Sequence, residues 1–103
     1  MDLSAQLTAV ASPQRMRIIA ELAHEPLHVS ELARRVGMSR ALLYMHTKKL
    51  EEAGFISSEL LLSDEGKAMR QLRVEDFHLI VNQETIRQAV ETFQALDNEE
   101  GAS

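Results

Sequence analysis

A chain of 103 residues with 45% hydrophobic and 26% charged residues has the composition of one small folded domain, with little room for an active-site cleft between lobes. No apolar run approaches the roughly 20 residues of a membrane span, and the N-terminus lacks the basic segment of a signal peptide. The absence of cysteine excludes disulfides, thiolate metal sites and cysteine nucleophiles. We therefore expect a cytoplasmic protein without a membrane partner.

The net charge of −5 conceals an uneven distribution of charged residues. Between Arg34 and Arg73 there are eight Lys or Arg residues and five acids, whereas the remainder has three and eleven. No acid occurs from Arg34 to Lys49. Because distant charges are screened beyond about 8–10 Å, a local positive field on an acidic body can still attract an anion. The acidic chain therefore does not exclude nucleic acid, although chance clustering of cations is the alternative explanation.

Two helices are predicted at the start of the chain. An apolar stripe at helical spacing predicts a first helix over residues 3–10. Ser12 is a good N-cap for the second helix, and Pro13 fits its first position, where a missing N–H costs nothing. Pro26 ends this helix, because the residue before a proline avoids the helical region. The apolar positions that recur at helical spacing are Leu3, Leu7 and Val10 in the first helix and Met16, Ile19, Ala20 and Ala23 in the second.

A helix-turn-helix follows. The segment "HVSELARRVG" predicts a third helix, and Gly37 is placed as a C-cap residue just past its end. Ser39 then caps a fourth helix, Arg40 to Ala53, which Gly54 closes. Two helices joined by a short turn that contains glycine form a helix-turn-helix. The inward positions of the third helix are Val29, Leu32, Ala33 and Val36.

The last third of the chain changes character. Strand-like runs flank "SDEG", a turn signal, and predict a β-hairpin of residues 55–62 against about 67–74. Residues 77–81, "FHLIV", are either a third strand or an extended arm. Asn82 caps a final amphipathic helix from Gln83 to about Leu96. We expect a single domain over residues 1–97 and a flexible tail over residues 98–103.

This order of elements is that of a winged helix domain, a mainly α fold with a small β-hairpin wing. The segments "VSELARRVGMS" and "KKLEEAGFI" resemble the ArsR-type winged helix-turn-helix regulators of bacteria and archaea, "ASPQRMRIIAEL" is similar to their upstream Pro–Arg helix, and "LSDEGKAMRQLRV" is similar to their wing. The resemblance covers roughly residues 9–90, and MarR-like families share part of the pattern. It implies a homodimeric repressor that binds an inverted repeat in double-stranded DNA and dimerises through its first and last helices. The expected dimer interface is Leu3, Leu7, Val10, Ile86, Ala89, Val90, Phe93 and Leu96.

Division of the fourth helix at 100° per residue separates two faces. One face, with Leu42 and Thr47 on its margins, packs against the body and carries Ser39, Leu43, His46, Leu50 and Ala53. The opposite face is left for a major groove, which admits a helix, and it carries Arg40, Ala41, Tyr44, Met45 and Lys48.

The reading helix over residues 39–53 is expected to contribute most of the DNA contacts. Arg40 is placed to form a bidentate hydrogen bond with a guanine, and Tyr44 to contact a phosphate or a thymine methyl group. The wing, residues 63–68, is expected to contact the DNA backbone. On the strand that follows it, only one of Arg70 and Arg73 can face the DNA, because successive side chains of a strand point to opposite faces. The predicted DNA-binding residues are Ser39, Arg40, Ala41, Tyr44, Met45, Lys48 and Lys49, with Lys67 and Arg70 on the wing.

Other functions are weaker candidates. Metal-sensing members of the resembled family often carry a Cys-x-Cys box in the third helix, where this chain has "LHVSEL". Asp76 and His78 are similar to the start of a zinc site in some members, but Ala89 and Thr92 stand where partner ligands are expected. We therefore expect no metal and no cofactor, and the presence of a small-molecule effector stays an open question.

No nucleophile–base pair or phosphate loop indicates an enzyme. The alternative is a winged helix module for protein–protein interaction through its Leu-Leu-Tyr-Met surface.

Overall fold

The computed structural model describes residues 2–101, with side chains described for residues 2–95. It has the winged helix-turn-helix architecture that the sequence predicts: five helices and a small three-stranded antiparallel sheet. The elements in chain order are α1 (Leu3–Val10), α2 (Pro13–His24), β1 (Leu27–His28), α3 (Val29–Val36), α4 (Arg40–Glu52), β2 (Ile56–Leu62), β3 (Ala68–Val74) and α5 (Gln83–Gly101).

Side-chain caps fix the beginnings of the helices. Asp2 accepts a hydrogen bond from the backbone N–H of Ala5 at 2.8 Å and starts α1. Ser12 and Pro13 begin α2 as predicted. Asn82 accepts from the N–H of Thr85 at 2.9 Å, which confirms it as the residue that starts α5. Each cap satisfies an N–H that has no partner within its helix.

The sheet contains a strand that the sequence did not reveal. The hairpin of β2 and β3 is confirmed, and β3 lies in the centre, so that Leu72 stands opposite both Ser58 of β2 and Leu27 of β1. The third strand is thus the two-residue β1, and of the two alternatives for residues 77–81 the strand is excluded. That segment is the extended arm, whose Phe77 ring meets Phe55 edge-on at 4.7 Å.

The core lies between the helices and one face of the sheet. On α2 the predicted stripe is only partly correct. Ile19 packs against the core as predicted, but the buried side chains are Ile18 and Leu22. Met16, Ala20 and Ala23 are exposed. The observed pair buries two large side chains, while the predicted stripe contains two alanines, which offer less apolar area to remove from water. The most buried large side chains are Phe55, Ile18, Leu32, Leu43, Leu50 and Leu72.

The last helix is longer than predicted. α5 continues to Gly101, past the expected end near Leu96 and into the segment expected to be a tail. Residues 102 and 103 of that segment lie outside the described residues. Among the helices that the structure describes, none is long and apolar enough to cross a membrane.

Candidate nucleic-acid interface

The turn of the helix-turn-helix is built by Gly37. Its backbone φ is 67°, in the left-handed region where a side chain is strained. The N–H of Met38 donates to the carbonyl of Ala33 at 3.0 Å, which closes α3. Ser39 then accepts from the N–H of Leu42 at 3.1 Å and starts α4 in a new direction. The predicted turn and cap are therefore both confirmed.

α4 presents two faces, largely as predicted. Leu43 and Leu50 are buried, whereas Tyr44 and Met45 are 60% and 62% exposed. The two residues predicted at the margins of the packed face differ, because Leu42 is 42% exposed and Thr47 only 6%. Its hydroxyl donates to the backbone carbonyl of Tyr44 at 3.3 Å, so this polar group is satisfied without leaving the core.

His46 is half-buried behind the reading face. Its Nδ1 accepts a hydrogen bond from Nε of Arg15 at 3.1 Å, so the ring is neutral with its remaining proton on Nε2. Burial, followed by the positive charges of Arg15 and Lys49, lowers the pKa of His46 from its ordinary value of 6.5. The predicted position of His46 on the body side of the helix is confirmed.

A groove of about 470 Å³ brings the predicted wing and helix residues together. Arg40 and Tyr44 of α4 line one wall, and Lys67 and Arg70 of the wing line the other. None of the described residues that line this groove is acidic. Its open mouth therefore combines two guanidinium groups, an ammonium group and a phenol, a set that suits phosphates and base edges.

Residues at the start of α3 complete the groove and were missed from the sequence. His28, Val29 and Ser30 also line it. His28 stands at the N-cap position but makes no capping hydrogen bond, so the first N–H groups of α3 have no side-chain acceptor there. Such N–H groups favour an anion. Histidine is not among the preferred N-cap residues, and the position of His28 beside the wing follows from β1 pairing with β3.

The wing carries charges of both signs and an apolar face. Arg70 donates to the hydroxyl of Ser58 at 3.1 Å and stands opposite Leu60 in the register. Leu60 and Leu62 are 68% and 75% exposed. At the hairpin tip, Asp64 and the adjoining Glu65 are also exposed.

Two of the arginines in the acid-free run are already paired. Arg35 donates to Glu25 and Glu31, each at 3.0 Å, and approaches Glu21 at 3.7 Å. Arg34 also pairs with Glu31, and these bonds, first from Arg34 and then from Arg35, lower the pKa of Glu31 to about 2. The positive field of this face therefore comes from α4 and the wing rather than from α3.

The remaining predicted DNA contacts fall into two groups. Ala41, Met45 and Lys48 are exposed on the same side of α4 as Tyr44, and Ser39 is exposed at its start. Lys49 is different, because it lines a separate groove between α1, α2 and α4 together with Arg15 and Glu52. The structure thus does not bring Lys49 together with the other predicted contacts.

The predicted dimer residues lie mostly along one apolar trough. This trough runs between α1 and α5, and its Ile86 and Val90 are 49% and 42% exposed. Val10 instead packs against the core of its own protomer. The side chain of Leu96 lies outside the described residues. The trough is lined by Leu3, Ser4, Leu7, Thr8, Ile86, Ala89, Val90 and Phe93.

Metal-ligating side chains are scattered over the molecule. Within the part of the chain that the structure describes, no three His, Asp or Glu side chains converge on a point that could hold a metal ion. His78 lies on the extended arm and lines an open groove with Asp2, where the other residues are amides, hydroxyls and aliphatic groups.

Comparisons with known proteins agree with this fold. The profile described as "Bacterial regulatory protein, arsR family" matches residues 12–58. An uncharacterized HTH-type transcriptional regulator of Methanocaldococcus jannaschii is 31% identical over 83 residues, which are 81% of this chain and 86% of that protein.

Solved structures extend the match over nearly the whole chain. The crystal structure of an ArsR family transcriptional regulator has a TM-score of 0.62 and 27% identity, and the match covers 98% of this chain and 97% of that one. The solution structure of a homodimeric winged helix-turn-helix DNA-binding domain from Mycobacterium bovis has a TM-score of 0.59 at 17% identity, over 98% of this chain and 83% of that one, and it supports the fold alone. The chain belongs to the arsR family and is a DNA-binding transcriptional regulator with a winged helix-turn-helix fold.

Proposed function

We propose that two copies of this chain bind an inverted repeat in duplex DNA and repress transcription from the promoter that contains it. α4 lies in the major groove, and the wing, residues 63–68, lies along the neighbouring backbone. The observation that carries this proposal is the shared groove, in which Arg40 and Tyr44 of the reading helix face Lys67 and Arg70 of the wing.

Arg40 is the principal base-reading residue. It lies in the first turn of α4, is exposed, and makes no ion pair among the described residues. A guanidinium in that position donates two hydrogen bonds, to O6 and N7 of a guanine, and such a pair contributes roughly 1–3 kcal/mol of discrimination against other bases. Ala41 and Met45 offer only apolar contact, so thymine methyl groups and DNA shape supply the rest of the specificity.

Phosphate contacts fix the protein on the duplex without reading its sequence. Lys48 extends from the far end of the reading face, and Lys67 stands beside the tip of the hairpin. The uncapped start of α3 and the N-terminus of α4 at Ser39 add N–H groups that favour a phosphate.

A second copy covers the α1–α5 trough. Exposed aliphatic side chains in a contiguous trough mark an interaction surface on a small protein. A two-fold interface uses the same surface on both copies, so one trough supplies both sides. The two reading helices then enter successive major grooves about 34 Å apart.

The family favours DNA binding over the protein-interaction alternative, and its regulators act by binding DNA rather than by catalysis.

The decisive experiment is selection of bound sites from a randomised duplex library, followed by fluorescence anisotropy on the most enriched sequence. We expect a two-fold symmetric site. Arg40→Ala should lower the preference for its guanine by about tenfold or more, whereas Arg73→Ala, on the opposite face of the wing, should not. A library without enrichment would refute the proposal.

Dimerisation has a separate test. Ile86→Glu with Val90→Glu places two carboxylates in the trough, and we expect sedimentation equilibrium to shift from a dimer toward the 11.6 kDa protomer. Met16→Glu, an exposed apolar position on α2, is the matched control and should leave the dimer intact. A wild-type protein that sediments as a monomer at micromolar concentration would contradict the interface.

A further inference from the structure

A single arginine joins the helix at the proposed dimer interface to the helix that reads DNA. Nη1 of Arg15 donates to the carbonyls of Thr8 and Ala9, at 3.3 and 3.1 Å, near the end of α1. Its Nε donates to Nδ1 of His46 on α4 at 3.1 Å. Since Arg15 itself belongs to α2, its guanidinium connects three helices through directional hydrogen bonds.

We propose that Arg15 and His46 are positioning residues that hold α4 at a fixed angle to α1, so that dimer geometry and DNA reading are coupled through this contact. The inference rests on the proposed function, because α1 matters to DNA binding only if it orients one protomer against the other. Neither residue lines the groove that faces DNA, so their effect is indirect.

The contact requires a neutral imidazole. A protonated ring has hydrogen on both nitrogens and cannot accept from Arg15. The charges around it reinforce this condition, because Arg15 on α2 and Lys49 on α4 are cations that act on the ring. Both line a groove beside this contact, where Glu52 is the one acid among the described residues. α1 contributes only uncharged residues to that groove: Ala5, Thr8 and Ala9.

A fall in pH should therefore break the hydrogen bond between Arg15 and His46, and with it the link from α4 to α1. A comparison of two proteins that differ only at position 46 separates this effect from any other pH dependence of DNA binding, whereas a single pH profile does not.

The experiment measures DNA affinity of the full-length protein between pH 7.5 and 5.5, for the wild type and for His46→Gln. Glutamine provides a carbonyl acceptor for Arg15 but does not titrate. We expect the ratio of wild-type to variant affinity to fall severalfold as the pH is lowered, because protonation of the ring breaks the contact with Arg15 in the wild type alone. His24→Gln, exposed at the end of α2, is the matched control and should keep the wild-type profile.

Arg15→Lys tests the arginine side of the contact. Lysine keeps the positive charge but lacks the planar guanidinium group that donates to all three acceptors. We expect this variant to tolerate changes of half-site spacing that the wild type rejects, at equal salt. A wild-type to His46→Gln ratio that stays constant with pH, or an Arg15→Lys variant with wild-type spacing preference, would overturn the inference while DNA binding stands. A wild type that binds no duplex at pH 7.5 would overturn the proposed function and this inference together.

Discussion

The salt dependence of DNA binding follows from the cations that the structure leaves available. In each copy of the proposed dimer, Lys48, Lys67 and Arg70 face the proposed DNA and form no ion pair among the described residues. If each contacts a phosphate, a dimer makes six such contacts. The logarithm of affinity then falls with the logarithm of salt concentration at a slope of about −5, and affinity falls about a thousandfold between 50 and 200 mM salt.

Lys48→Ala removes one phosphate contact from each protomer. We expect the slope to become less steep by about 2, because each contact contributes about 0.9 and the dimer loses two. The sequence preference should stay unchanged, since phosphate contacts carry no base information. Fluorescence anisotropy on one labelled duplex at four salt concentrations gives the slope directly.

The control for Lys48→Ala is Arg73→Ala, which removes an exposed cation from the face of β3 opposite to Arg70. This variant should keep the wild-type slope. Equal slopes for wild type and Lys48→Ala would refute the placement of α4 against phosphates. A change in slope for Arg73→Ala alone would show that the wing presents its other face to the duplex.

Three further predictions test separate parts of the structure. Asp64→Asn with Glu65→Gln should raise DNA affinity several-fold at 50 mM salt and less at 200 mM, because two repulsive charges leave the wing tip; unchanged anisotropy would place the tip away from phosphates. Gly37→Ala should cost about 1–2 kcal/mol in urea unfolding, because a Cβ is strained at φ 67°. Ile18→Ala should lower stability by about 2–5 kcal/mol and Met16→Ala by less than about 0.5 kcal/mol, and the reverse order in calorimetry would contradict the observed phase of α2.

Local chemistry made much of this fold predictable. Ser39 and Gly37 act within a few residues of themselves, so a cap and a left-handed turn can be inferred without knowledge of the rest of the chain. Leu43 and Leu50 of α4 were assigned correctly because large aliphatic groups seven residues apart share one face.

Features that depend on tertiary contacts were not predictable in the same way. β1 has two residues, too few for any periodicity, and it exists because Leu27 pairs with Leu72 about 45 residues later. The burial of Thr47 depends on a hydroxyl that turns back to its own helix, a choice that composition does not reveal. The contact between Arg15 and His46 joins residues 31 positions apart and has no local signal.

The charge pattern shows how a correct conclusion can rest on partly wrong residues. The acid-free run from Arg34 to Lys49 suggested a basic surface, yet Arg34 and Arg35 are held by acids of α2 and α3, and Lys49 faces another groove. What remains on the proposed DNA-binding face is a small set of cations contributed by α4 and the wing. Since α3 supplies little of the field, DNA affinity should respond strongly to Lys48 and Lys67 and weakly to either arginine of α3. Substitution of Arg35 should therefore reduce stability, through the lost bond to Glu25, before it changes the salt slope.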